Sequence, residues 1–290
     1  MKLLTGTSNI PLASSIAEYL KISLIFADVK RFADGEINVR IQDDIVGEDV
    51  YIIQSLAPLV NEYLMELFIL SNVLREMGAR EITAMIPYYA YARQDKDNQN
   101  LAFFFATLLK ASGVDRIITL DLHNPDICKF FPVKMDALKA TSLFAHDIQT
   151  RFEDELITIV SPDEGGSERA RCLAEQLGTE YIILRKIRVN GDVCVFNKET
   201  NVKGKICLIV DDIVDSGATL MGAAEVLKRA GAREIHAYIT HAVLSGNAVE
   251  KIKLAKIDSL TVSDSIKKDW GGARLLSTAE LLSKAITCKL

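Results

Sequence analysis

Short runs rich in valine and isoleucine alternate with segments of helical periodicity along the whole chain of 290 residues. The predicted strands are 1–5, 24–29, 50–54, 81–87, 116–121, 156–160, 181–184, 205–210, 234–240 and 259–262. The predicted helices are 11–20, 62–77, 101–111, 143–149, 167–177, 218–230 and 278–286. Strands that alternate with helices are typical of an α/β fold with mainly parallel sheets, in which ligands bind beyond the carboxyl ends of the strands.

Two similar segments about half the chain apart indicate an internal duplication: 73–82 reads VLREMGAREI and 226–235 reads VLKRAGAREI. Each copy is typical of a helix end, a glycine cap and the start of a strand. This pattern could recur by chance in an α/β protein, but its match at the same structural point favours duplication. We therefore predict two similar domains, 1–140 and 141–290, each a mainly parallel sheet flanked by helices, and the length fits two domains.

Charge and apolar patterning exclude several classes of protein. The formal net charge is −5 and the basic residues are scattered, whereas a nucleic-acid binder is usually basic along one stripe. The longest apolar stretch, 101–109, is about half of what spans a bilayer, and the first residues lack the apolar core of a secretory signal. We therefore expect a cytoplasmic protein without nucleic-acid or membrane partners. The five cysteines form no CxxC pair, which favours simple thiols.

The most informative motif is KICLIVDDIVDSGATL at 205–220. A buried strand leads to Asp211 and Asp212, and a short turn then opens a helix. Exposed N–H groups at a helix start bind anions, and Gly217 lets the backbone approach a phosphate closely. The two carboxylates are placed to accept hydrogen bonds from sugar hydroxyls. The alternative is a helix capped by Asp215 or Ser216, which leaves two adjacent acids unexplained.

This segment resembles the phosphoribosyl-diphosphate binding motif of the type I phosphoribosyltransferase fold. Four further strings are RFADGE at 31–36, IPYYAYARQD at 86–95, DLH at 121–123 and SPDEGG at 161–166. In this order they resemble the ribose-phosphate pyrophosphokinase family over nearly the whole chain. The resemblance implies two phosphoribosyltransferase-like domains with the active site between them. It also implies transfer of the diphosphate of MgATP to the C1 hydroxyl of ribose 5-phosphate.

The resemblance also assigns roles to individual residues. For ATP it implies Arg93 and Gln94, together with Phe32, Asp34 and Glu36 acting across a subunit interface, hence at least a dimer. For ribose 5-phosphate it implies the loop residues Asp211, Asp212, Asp215, Ser216, Gly217, Ala218 and Thr219. Lys186 and Arg188 lie on one side of a strand, where two cations can clamp a polyphosphate, and the family gives both a catalytic role. His123 is implied as a catalytic residue and, with Asp163, as a ligand of Mg²⁺. A carboxylate suits that hard cation better than an imidazole does.

The chain departs from the family after Arg93, where 94–105 reads QDKDNQNLAFFF. The family carries a longer flexible loop there, with additional basic residues. Because such loops close over substrate and exclude water, the shorter segment leaves a second hypothesis open: a catalytically weakened homologue with a regulatory or scaffold role. A phosphoribosyltransferase is the other alternative.

Overall fold

The computed structural model describes residues 1–93, 101–189, 192–196, 201–268 and 270–287, and this part of the chain forms two compact units. Unit 1 combines Met1–Lys139 with Asp264–Lys268 and the segment that begins at Ser277. Unit 2 combines Ala140–Ser263 with the segment that ends at Leu276. The domain limits 1–140 and 141–290 stay a prediction.

The described residues of the first half of the chain form eight strands and three α-helices. The strands are β1 (Lys2–Thr5), β2 (Leu24–Phe26), β3 (Asp28–Arg31), β4 (Ile37–Arg40), β5 (Asp49–Ile53), β6 (Glu81–Ile86), β7 (Arg116–Leu120) and β8 (Lys134–Leu138). The helices are α1 (Ile10–Leu20), α2 (Val60–Glu76) and α3 (Leu101–Ala111). Six of the strands form a parallel sheet in the order β2-β1-β5-β6-β7-β8, and β3 and β4 form a separate antiparallel hairpin.

The second half repeats this arrangement. Its strands are β9 (Ile157–Ser161), β10 (Glu180–Ile183), β11 (Arg185–Val189), β12 (Asp192–Phe196), β13 (Ile206–Val214), β14 (Glu234–Ala242), β15 (Ser259–Ser263) and β16 (Arg274–Leu276). Its helices are α4 (Thr141–Arg151), α5 (Ser167–Leu177), α6 (Ala218–Arg229), α7 (Ala248–Leu254) and α8 (Ala279–Thr287). The parallel sheet has the order β10-β9-β13-β14-β15-β16, and β11 and β12 form the second hairpin.

The two halves share individual hydrogen bonds as well as strand order. The recurring backbone bonds are Gly47 N to Gly78 O and Gly204 N to Gly231 O (2.8 and 2.9 Å), and Arg80 N to Glu48 O and Arg233 N to Lys205 O (both 2.8 Å). Asp115 and Asp258 accept in the same way from the backbone N–H groups of Ile82 and Ile235, at 2.8 Å each. Gly78 and Gly231, from the repeated GAREI string, have the same φ of 87°. These matches give a residue-by-residue alignment of the two halves.

Apolar side chains cover both sheets. In unit 1, α1 and α8 pack together on one face of the sheet, with Leu12, Ile16, Leu282 and Ile286 buried against strand residues. In unit 2, Phe144 of α4 and Leu173 of α5 belong to one cluster, and residues of α6 and α7 belong to another. The α/β class with helices flanking two parallel sheets is confirmed. None of the helices in the described ranges is long and apolar enough to span a bilayer.

Candidate active site

The loop that follows β13 holds the residues predicted to bind a sugar phosphate. The predicted strand ended at residue 210, but β13 continues to Val214, so Asp211 and Asp212 lie within the strand rather than after it. The reason is that parallel pairing with β14 extends to the register Val214–Ala242. A strand this long carries both carboxylates toward its carboxyl end, where α/β proteins bind ligands.

The start of α6 is open to an anion. Its N-cap is Gly217, with φ +79°, and neither Asp215 nor Ser216 takes that position; Ser216 Oγ accepts from Ala218 N at 3.4 Å. No acidic residue lies in the first turn, and Ser216 and Ala218 are exposed. A Cβ at position 217 would meet Ile252 Cγ1 at 3.0 Å. Glycine is therefore favoured both by the positive φ and by the short distance to α7. Because glycine has no side chain, the N–H groups at the start of α6 stay accessible to an anion.

Asp211 and Asp212 share one cation. Arg169, on α5, reaches Asp211 Oδ1 with Nη1 at 3.3 Å and Asp212 Oδ1 with Nη2 at 3.4 Å. Burial, followed by repulsion from Asp212, raises the pKa of Asp211, while Arg169 acts in the opposite direction. Arg169 therefore favours the ionised form of this carboxylate.

Arg169 was missed by the sequence reasoning. The signal was available, because a cation in the first turn of a helix is disfavoured by the helix dipole unless an anion balances it. The string GGSER places that cation three residues after the second glycine of the turn.

The glycine-rich turn after β9 approaches the acidic pair closely. Asp163 Oδ1 accepts from Gly166 N at 3.3 Å, which closes a short 3-10 turn, and Ser161 Oγ donates to Asp163 O at 2.7 Å. A Cβ on Gly166 would lie 2.6 Å from Ser161 Oγ, 3.3 Å from Arg169 Nη1 and 3.9 Å from Asp211 Oδ1. Only glycine fits here, so the turn, the arginine and the acidic pair form one cluster.

The corresponding loop of unit 1 is closed by an internal carboxylate. Glu66 of α2 is buried and accepts from Thr7 N and Thr7 Oγ1, both at 2.6 Å. Gln54 Oε1 accepts from Ser8 N at 3.2 Å. A backbone N–H and a hydroxyl that could hold an external anion are thus occupied by the protein itself.

The predicted adenine-binding residues lie at the tip of a hairpin in unit 1. Phe32 N donates to Glu36 O, Gly35 N donates to Phe32 O, both at 2.9 Å, and Glu36 N donates to Asp34 Oδ1 at 3.1 Å. All three predicted side chains are exposed, and Phe32 is 57% exposed. An exposed aromatic ring at a rigid turn is available to stack on a planar group.

The other predicted residues are distributed over both units. Arg93 is half-buried and its Nη2 donates to Tyr88 Oη at 3.0 Å, after β6. His123 is exposed and follows β7, in unit 1, whereas Asp163 belongs to unit 2. Lys186 and Arg188 are alternate residues of β11, opposite Val195 and Val193; their side chains lie outside the described part of the structure. Gln94 and the shortened segment 94–100 lie outside the described residues.

Comparisons with known proteins agree with this architecture. Residues 1–113 match the model of the N-terminal domain of ribose phosphate pyrophosphokinase, and residues 136–273 match that of the phosphoribosyl transferase domain. The ribose-phosphate pyrophosphokinase of Brucella melitensis is 44% identical, covering 99% of this chain and 96% of the relative. That of Ralstonia nicotianae is 40% identical, covering 98% and 93%.

Among solved structures, the phosphoribosylpyrophosphate synthetase of Mycobacterium smegmatis is similar with a TM-score of 0.91 and 32% identity, covering 100% of this chain and 99% of that one. The loop after β13, the glycine-rich turn and the hairpins thus occur in a chain that matches these relatives over its full length. The chain belongs to the ribose-phosphate pyrophosphokinase family.

Proposed function

We propose that the protein transfers the β,γ-diphosphate of ATP to the C1 hydroxyl of ribose 5-phosphate, giving 5-phosphoribosyl 1-diphosphate and AMP. The C1 oxygen attacks the β-phosphorus, the bond from that phosphorus to the α,β-bridging oxygen breaks, and AMP leaves with the bridging oxygen. The observation that carries the proposal is the glycine-capped start of α6, without an acidic residue in its first turn, next to Asp211 and Asp212.

The sugar phosphate is held by the start of α6 in this proposal. The 5-phosphate lies against the loop from Asp215 to Thr219, where N–H groups and hydroxyls donate to it. The ribose hydroxyls donate to Asp211 and Asp212. Asp211 and Asp212 lie within β13, which ends before this loop, and they are assigned to the hydroxyls because carboxylates are unsuited to a phosphate.

Lys186 and Arg188 act on the diphosphate as it is transferred. Cations aimed at charge that grows in the transition state raise the turnover number more than they tighten ground-state binding. Arg93 and Gln94 bind the ATP phosphates, and Arg93 is held by Tyr88. We assign His123 to the same polyphosphate and name no general base.

Mg²⁺ is the cofactor that the donor chemistry fits. Asp163 provides a hard oxygen ligand at the glycine-rich turn, and Mg²⁺ is commonly bound through one or two carboxylates plus substrate phosphates. The described residues contain no group of three or more His, Cys, Asp or Glu side chains that could hold a metal. As the family resemblance implies, Asp163 and His123 would bind the ion in the presence of ATP, and the ion would neutralise charge on the phosphates.

Self-association is part of the proposal. Phe32, Asp34 and Glu36 are exposed at the hairpin tip, which fits adenine recognition in the site of a neighbouring subunit. Phe32→Ala and Arg93→Ala, each inactive alone, should regain activity when their subunits are mixed, up to roughly a quarter of wild type for a symmetric dimer. Failure despite proven subunit exchange would place both residues in one subunit's site. A cytoplasmic location remains a prediction.

The test of the reaction is an assay of AMP and phosphoribosyl diphosphate formed from ATP, ribose 5-phosphate and Mg²⁺. We expect equal amounts of both products. The shorter sequence after Arg93 supports the second candidate, a weakened regulatory homologue, which would bind both substrates without turnover. A phosphoribosyltransferase would instead consume phosphoribosyl diphosphate and a base, without forming AMP.

A further inference from the structure

Arg169 lies where the glycine-rich turn meets the acidic pair of β13. We propose that Arg169 is a positioning residue for sugar recognition: it fixes Asp211 and Asp212 as hydrogen-bond acceptors for the ribose hydroxyls without touching the sugar itself. This inference rests on the proposed function, because it assumes that the acidic pair binds ribose 5-phosphate.

The geometry gives Arg169 one nitrogen for each carboxylate. Nη1 lies 3.3 Å from Asp211 Oδ1 and Nη2 lies 3.4 Å from Asp212 Oδ1. The side chains are 14% exposed for Arg169, 18% for Asp211 and 6% for Asp212, so water screens the three charges little. A planar guanidinium can hold two acceptors in fixed directions, whereas an ammonium group acts as a single point charge.

Two adjacent buried carboxylates need such a cation. Burial and the repulsion between adjacent carboxylates both disfavour two negative charges in this place. The guanidinium nitrogens of Arg169, 3.3 and 3.4 Å from the two carboxylates, favour the ionised forms. An ionised carboxylate accepts hydrogen bonds from hydroxyl groups more strongly than a protonated one.

The backbone fixes the position of this cation. A Cβ at position 166 would lie 3.3 Å from Arg169 Nη1 and 2.6 Å from Ser161 Oγ. The turn therefore lies directly beside the guanidinium group, and it limits the positions that the Arg169 side chain can take. Asp163 closes the same turn through Gly166 N.

Unit 1 has neither the two acids nor the arginine at the corresponding positions, and this difference supports the inference. In the alignment that starts from Gly47 and Gly204, Gln54 and Ser55 take the places of Asp211 and Asp212. The third residue of α1 is Leu12, whereas the third residue of α5 is Arg169. Both acids and the arginine are thus replaced together in the half that has no predicted sugar site.

The test compares three variants of the full-length protein. Arg169→Met keeps most of the length of the side chain but removes its charge. Arg169→Lys keeps the positive charge but replaces the planar guanidinium group with a single ammonium group. Arg171→Met is the matched control, because Arg171 lies on the same helix but is exposed and pairs with Glu168 and Glu175 at 2.8 and 2.5 Å. The measurements are KM for each substrate, kcat, the dissociation constant for ribose 5-phosphate by calorimetry, and Tm.

We expect Arg169→Met to raise KM and the dissociation constant for ribose 5-phosphate roughly 10- to 100-fold, the range for weakened hydrogen bonds to a charged acceptor. KM for ATP should stay within about twofold of wild type, and Arg169→Lys should recover part of the loss. The Met variant should also lose part of any preference for ribose 5-phosphate over 2-deoxyribose 5-phosphate, an effect that reduced stability alone does not produce. Arg171→Met should match wild type.

Three outcomes would overturn the inference: an unchanged affinity for ribose 5-phosphate in a folded Arg169→Met protein, an equal rise in KM for both substrates, or the same effect in Arg171→Met. If the Met variant does not fold, Arg169→Lys must itself show the selective rise, and normal affinity in that variant overturns the inference. A wild-type protein that binds ribose 5-phosphate but forms no AMP would contradict the proposed reaction instead, and the calorimetric comparison would still decide the role of Arg169.

Discussion

The loop after the first strand of unit 1 is filled by the carboxylate of Glu66, whereas the loop at the same place in unit 2 carries two glycines and faces an arginine held by two acids. Strand order and the backbone bonds around Gly47 and Gly204 are the same in both units. Backbone bonds and apolar packing therefore maintain the same fold in both units, while a few side chains at the strand ends differ between them.

The helices α4 and α8, each of which follows the last strand of one unit in the chain, also differ. The helix α4 has buried apolar residues such as Phe144 in the core of unit 2, and it has a charged anchor in addition. Asp147 accepts from Tyr238 Oη at 2.7 Å and from both terminal nitrogens of Arg274, at 2.9 and 2.8 Å. The helix α8 is attached to unit 1 by buried apolar residues, among them Leu282 and Ile286. The first attachment should respond to pH, and the second should not.

The largest expected effect is a difference in kcat between a variant in the hairpin of β11 and β12 and a variant in the hairpin of β3 and β4. Lys186→Ala in β11 should lower kcat on the order of 10² to 10³-fold, as for removal of one preorganised electrostatic donor. Lys30→Ala in β3, the hairpin of unit 1, removes an exposed lysine paired with Asp28 at 2.6 Å and should change kcat less than about twofold. Steady-state kinetics measures both, and an unchanged kcat with a raised KM would reassign Lys186 to ground-state binding.

The next effect tests whether unit 1 needs its internal carboxylate. Glu66→Ala removes a buried carboxylate that accepts from Thr7 N and Thr7 Oγ1, so we expect the free energy of unfolding to fall by about 2 kcal/mol. Glu76→Ala, at the exposed end of the same helix, should cost less than about 0.5 kcal/mol. Urea denaturation measures both, and a loss below about 1 kcal/mol for Glu66→Ala would contradict the comparison.

The third effect is pH-dependent. The hydrogen bonds from Arg274, and more weakly that from Tyr238, hold the pKa of Asp147 below its usual value against the effect of burial. A lowered folded-state pKa means that this stabilisation is present above the unfolded pKa of about 3.9 and is lost as pH falls through the folded value. Asp147→Asn should therefore cost about 1 kcal/mol at pH 7 and progressively less below about pH 4.

Leu282→Ala in α8 is the control for the third effect. It removes a fully buried side chain and should cost about 3 kcal/mol at either pH, because no titratable group is involved. Thermal or urea unfolding as a function of pH measures both variants. An Asp147→Asn deficit that is the same at pH 3 and pH 7 would rule out the charged anchor.

The smallest effect concerns the loop at α6. Gly217→Ala adds a Cβ at φ +79°, 3.0 Å from Ile252, which should raise KM for ribose 5-phosphate about threefold and leave KM for ATP unchanged. Gly178→Ala also has a positive φ, of 65°, but no atom within 4 Å of the new Cβ. It should lower stability without changing either KM, and equal losses for both substrates in Gly217→Ala would show that the loop is misassigned.

Elements with a strong local pattern were predictable from the sequence. The central strands and the larger helices lie close to their predicted ranges, and the repeated GAREI string marked the same helix-to-strand turn in both halves. The weaker elements β4, β8, β12, β16 and α7 were not predicted, because they are short or polar and are defined by their pairing partners. The predicted strand 24–29 is divided into β2 and β3, since Asp28 pairs with Arg40 in the hairpin.

The candidate site was predictable where a motif is contiguous. The acids and glycines of 163–166 and 211–219 were proposed from contiguous motifs together with the family resemblance, and their roles stay predictions. Arg169 and Glu66 were not, because each acts on residues about 40 or more positions away. The cation in the first turn of α5 is a local sign that Arg169 has an anionic partner, but it does not say which residue that partner is. The extension of β13 was missed for the same reason, since pairing with β14 determines it.

The helices α4 and α8 are exchanged between the two units, and this exchange determines the order in which the units can reach their final packing. The helix α4 follows the last strand of unit 1 yet belongs to unit 2, and α8 follows the last strand of unit 2 yet belongs to unit 1. During synthesis, Met1–Lys139 is made before α8, so the apolar face of α1 at Leu12 and Ile16 lacks this cover until Ala279–Thr287 has been made. Unit 1 therefore reaches its final packing only after the strands of unit 2 have been synthesised.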